Sequence, residues 1–165
     1  MLPLHVVADR VQKMAVGLSD KLQRTMLDEE KISMARNMAT MEVYVMALKH
    51  GFLENPERCL SLLEDERQGL MRLAESVVFQ PEEPGPRLDA QHMSAMLLQS
   101  RYNAVLEVLC GRGGEFLVKL DAAVGLLRQR IEDGKLELLR KEQQKELDAL
   151  KQRHDEAIAK VKPSA

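Results

Sequence analysis

Two stretches of nearly fifty residues, Leu4 to His50 and Glu115 to Val161, contain no proline, and their only glycines are Gly17, Gly125 and Gly134. Proline removes a backbone donor and clashes with the preceding helical turn, so runs this long without it leave continuous helix as the simplest conformation. At 1.5 Å per residue each run makes a rod of about 70 Å. Leu, Ala, Met, Glu, Lys, Arg and Gln fill both runs, and these side chains lose little rotamer freedom in a helix. Aromatic residues are 3% of the chain and Trp is absent, too few rings for a sandwich core or a large ligand cavity. The fold class expected is all-α, an elongated bundle. At 165 residues and 18.7 kDa the whole chain, 1–165, suits a single helical domain.

Punctuation divides the chain into four helices. Lys49-His50-Gly51-Phe52 reads as the end of the first, with Gly51 placed as a C′ cap and any bend falling near Thr25 to Glu30. Asn55-Pro56-Glu57 supplies an N-cap, a proline at the first helical position and an acid for the positive helix end, starting a second helix from Pro56 to Val78. Gln80 to Pro86 is a stiff linker, Asp89 caps a third helix to Leu109, and Cys110 to Gly114 is a tight connection. A fourth helix then runs from Glu115 to Val161, and Lys162 to Ala165 frays.

The long helices carry apolar stripes that match when one is read backwards. Leu4, Val7, Val11, Met14, Leu18, Leu22 and Met26 precede a charged gap at Asp28 to Lys31, followed by Met34, Met38, Met41, Val45 and Leu48. Val161, Ile158, His154, Leu150, Leu147, Gln143 and Leu139 precede a gap at Glu132 to Lys135, followed by Ile131, Leu127, Val124, Leu120 and Leu117. Spacings of three and four alternate as in a packed seam. The alignment predicts two lopsided antiparallel hairpins: a four-helix head over about 28–136, and a two-helix antiparallel coiled-coil stalk in which 3–27 pairs with 137–161, with both termini at its tip. The rival arrangement places the same seam between subunits, making the chain a homo-oligomer.

Chemistry-bearing constellations are few. Gly111-Arg112-Gly113-Gly114 precedes a helix but lacks the lysine and hydroxyl of a phosphate loop, and Glu115 would oppose an anion, so it reads as a turn. Asp89 and His92 are one helical turn apart without a further ligand at metal spacing. Cys59 and Cys110 show no metal or redox spacing and read as small buried hydrophobes in a reducing, cytoplasmic compartment. No leader sequence and no membrane span is evident. No catalytic residue, metal or cofactor is expected, and the chain does not read as an enzyme.

Protein binding is the function expected, as an adaptor, a chaperone-like protein or an assembly subunit of a larger machine, bacterial by analogy of architecture alone. Met34, Met38, Met41 and Met46 read first as core and second as an adaptable docking surface. Glu64, Asp65 and Glu66 form an acidic face suited to a basic partner. Gln143 and His154, the polar members of the last helix's stripe, are candidates for fixing register or sensing pH. The alternative is a nucleic-acid-associated coiled coil using the basic residues of the last helix. Acids interleave with those cations, and the net charge of −2 supplies no general attraction to phosphate.

Overall fold

The computed structural model describes residues 1–23, 26–111 and 114–161, the side chains of Phe52 and Leu53 excepted. Five helices account for almost all of them: α1 Leu4–Leu22, α2 Asp28–Leu53, α3 Pro56–Val77, α4 Pro86–Val108 and α5 Gly114–Val161. No strand occurs among the described residues. The expected all-α fold is present. Thr25, Arg112, Gly113 and the tail Lys162–Ala165 lie outside the described residues.

The expected first helix is two helices. The charged gap that looked like a break in a seam is a helix start: Asp28, Glu29 and Glu30 occupy the first turn of α2, where the positive end of the helix dipole favours acids. Glu30 Oε2 accepts from Leu27 N at 3.0 Å. The chain folds back there, so α1 lies antiparallel on α2. Leu4 packs over Gly51, where an added Cβ would stand 2.8 Å from both Leu4 methyl carbons. Gly51 is therefore not the cap expected, since α2 continues through it to Leu53. Its value is the close approach of α1.

The other boundaries follow local chemistry. Asn55 Oδ1 accepts from Arg58 N at 2.7 Å and Pro56 takes the first position of α3. Helix α4 starts at Pro86, earlier than expected, so Asp89 lies in its first turn and is not its cap. The end of α4 is a Schellman turn: Cys110 takes φ 58°, Gly111 takes φ 87°, and Gly111 N donates to Leu106 O at 2.7 Å.

Helices α2 and α4 form the centre, with α3 packed against both, α1 on α2, and α5 antiparallel along α4. Val43, Ala47, Leu63, Ala74, Leu88, Ala95, Tyr102, Val105, Leu120 and Leu127 make one core, and Val7 joins it from α1. Polar clasps close the rim. Arg10 of α1 bonds Tyr44 of α2 at 3.2 Å and Glu107 of α4 at 2.5 Å, and Tyr44 also donates to Glu107. Arg101 of α4 reaches Glu42 of α2 and, at 2.7 Å, Glu66 of α3. Gln91, 7% exposed, secures the linker by accepting from Glu82 N at 2.9 Å and donating to Val77 O at 2.6 Å and Gln80 O at 2.9 Å.

The expected pairing of 3–27 with 137–161 is not formed. Leu147, opposite Leu18 in that alignment, is 51% exposed, and Val161, opposite Leu4, is 81% exposed. A two-helix seam leaves each stripe half wet, whereas folding α1 back removes Val7 from solvent completely. Nor do Leu2 and Val161 share a tip. Leu2 N donates to Val108 O at 2.7 Å, which fixes the start of the chain at the end of the bundle where α5 begins. Helix α5 leaves from the opposite end, past the contact of Gly134 with Pro84.

Candidate functional site

Several open grooves mark the surface of the bundle. A polar one, about 510 Å³, lies between α2, α4 and α5 and is lined by Glu29, Arg36, Asn37, Gln99 and Asp121 among others. Its polar groups are committed to one another: Arg36 donates to Ser100 at 3.0 Å and to Gln99 at 3.1 Å, and Gln99 donates to Asp121 at 2.6 Å. They join three helices and present no nucleophile beside a base. No group of three metal-ligating side chains occurs among the described residues, and no helix there is long and apolar enough to cross a membrane.

The singled-out side chains scatter over the molecule. On α2 the core face is carried by Ala39, Val43, Tyr44 and Ala47; Met34 and Met41 are half-buried at its edge, Met46 packs against the core, and Met38 is exposed. Glu64 pairs with Arg67 at 2.5 Å, Glu66 belongs to the Arg101 clasp, and Asp65 is exposed. The expected acidic face is thus partly spent on internal ion pairs. Glu64 first, then a hydrogen bond with Tyr102, raises the Arg67 pKa. His92 is half-buried, and burial first, then Arg128, pushes its pKa down, with Asp89 opposing. Cys59 is buried, its pKa raised by burial and its Sγ 3.4 Å from Ala47 O; Cys110, expected to be buried, is exposed, and both thiols are free.

What remains is the second half of α5. From Lys135 to Val161 every residue is exposed, while the helix continues unbroken from its buried part at Leu120 and Leu127. Leu136, Leu139, Leu147, Leu150, Ile158 and Val161 are exposed large hydrophobics. With Gln143 and His154 they follow a spacing of three, four, four, repeated from Leu136 to Leu147 and from Leu147 to Ile158. An eleven-residue repeat holds its residues on one side of a straight helix better than a heptad does, because 3.67 residues per turn is close to the helical 3.6. Gln143 and His154 therefore occupy equivalent places in successive repeats.

The chain was compared with protein-family models, curated proteins and solved structures. It matches none of them.

The flanks of the stripe are charged with both signs. Lys141 pairs with Glu137 at 2.7 Å, Gln144 donates to Asp148 at 2.9 Å and Gln152 to Glu156 at 3.1 Å, all one turn apart. Sequence reasoning found the apolar members of this stripe from Leu139 to Val161, missed Leu136, and paired them with α1. The signal it passed over was the eleven-residue period itself, which runs on through the exposed part of α5 to Val161.

Proposed function

We propose that this chain is a non-enzymatic helical assembly protein, in which a five-helix bundle holds out the second half of α5 as a docking surface for another polypeptide. The observation that carries this reading is the exposed row from Leu136 to Val161 on an unbroken helix. Single exposed leucines are ordinary, but a mostly apolar row in register along several turns is what a partner helix covers. An adaptor, chaperone-like or assembly role fits such a surface. The basic side chains of α5 give less support to nucleic-acid binding, because acids on the same helix answer them and no aromatic ring beyond Phe116 accompanies them.

The test is capture from the native host with the full chain and with Leu147→Asp/Leu150→Asp. A polypeptide held by the native chain and lost by the variant supports the reading. Equal capture by both, or capture only of nucleic acid released by moderate salt, contradicts it.

A further inference from the structure

Resting on the reading of α5 as a docking surface, we propose that its occupant is a second copy of the same chain, with the two stripes paired antiparallel over residues 136–161. The spacing along the stripe, three-four-four-three-four-four-three, is the same read from either end. With Leu136 level with the second copy's Val161, Leu139 meets Ile158, Gln143 meets His154 and Leu147 meets Leu150, each pair occurring twice about a two-fold axis. Every apolar member then faces an apolar one. The two polar members face each other, an amide that donates and accepts against an imidazole that does both.

The flanks agree with this register. Arg140 comes within two residues of directly opposite Asp155, and Glu142 within two residues of Arg153. Lys135 near Lys160 at the two ends is a like-charge meeting. A parallel, in-register pair instead sets Lys135 beside Arg140, a like-charge meeting, and Glu146 beside Lys151.

The bundle leaves room for the second helix. Leu120 and Leu127 point α5 toward the core, and at 100° per residue the stripe faces about 150° away from them. A helix laid on the stripe therefore passes behind α5 and away from the bundle. The paired length, about 39 Å at 1.5 Å per residue, begins just beyond the Gly134 contact with Pro84 and uses all of the helix that the bundle does not.

The experiment uses the full chain with the exposed thiol removed, Cys110→Ser, and follows mass by sedimentation equilibrium and covalent pairing under mild oxidation. A reversible monomer–dimer equilibrium is expected, and Leu147→Asp, present twice in a dimer, should weaken it at least about a hundredfold while the bundle melts as before. Leu139→Cys together with Ile158→Cys in one chain should give covalent dimers, whereas either cysteine alone should not, because neither meets itself. Ready oxidation of Leu139→Cys alone would mean a parallel pair and overturn the antiparallel register. A strictly monomeric chain at high concentration would overturn self-pairing. In that case the docking reading stands or falls separately, on whether a host polypeptide is captured through the same leucines.

Discussion

Leu127 and Leu136 sit on one continuous helix, yet the first is 1% exposed and the second 52%. Nothing in the backbone of α5 separates them. The difference lies in what is on the other side: α4 covers the inner face of the first half, and among the described residues no other element covers the second. An apolar helical face announces that something packs on it, and not whether that something belongs to the same chain.

The widest separation between the two regions should come from Leu127→Asp and Leu150→Asp. A carboxylate forced into the place of Leu127 has no partner and should cost about 3–5 kcal/mol in urea unfolding. At concentrations low enough for monomer, Leu150→Asp should change stability by under about 0.5 kcal/mol. Similar losses in both would erase the distinction between bundle and projection.

Two glutamines sharpen it. Gln91→Leu abandons three hydrogen bonds at the linker, strands buried backbone groups, and should cost about 2–3 kcal/mol. Gln143→Leu should leave monomer stability within about 0.5 kcal/mol, because its side chain is exposed in the free chain. A large loss from Gln143→Leu in dilute solution would place that residue inside an intramolecular contact after all.

The smallest effect belongs to His92, in the bundle. Its folded pKa is lowered by burial and by Arg128, so on acidification the unfolded chain takes up the proton first, near pH 6.5. Stability should therefore fall as pH drops below that value, until the folded imidazole also titrates. His92→Gln should flatten the fall between pH 7.5 and 5, read from urea midpoints. Superimposable profiles for the two proteins would remove His92 from the account.

Much of the fold was legible. Pro56 and Asn55 placed the start of α3, and the proline-rich linker separated α3 from α4 as expected. What misled was the run from Leu4 to His50, where the absence of proline and of an internal turn glycine concealed a reversal marked only by Asp28, Glu29 and Glu30. Acidic residues at a helix start and acidic residues in a solvated stretch look the same until the partner of the preceding helix is known. The core of α2 was hidden for a related reason. Ala39 and Ala47 do not stand out in a stripe beside methionines, yet small side chains let neighbouring helices come close, as Gly51 does for Leu4. On α5 the stripe was visible, and its owner was not.

The tie between Leu2 N and Val108 O, with Arg10 reaching Glu107, also sets an order of events during synthesis. Helix α1 leaves the ribosome before α4, yet part of its seat is the last turn of α4. At 5–20 residues per second the ribosome needs roughly 4–17 s to pass from the end of α1 to Val108. For that interval Val7, fully buried in the finished protein, has only part of its seat available. Of these five helices, the one made earliest is among the last to be completed.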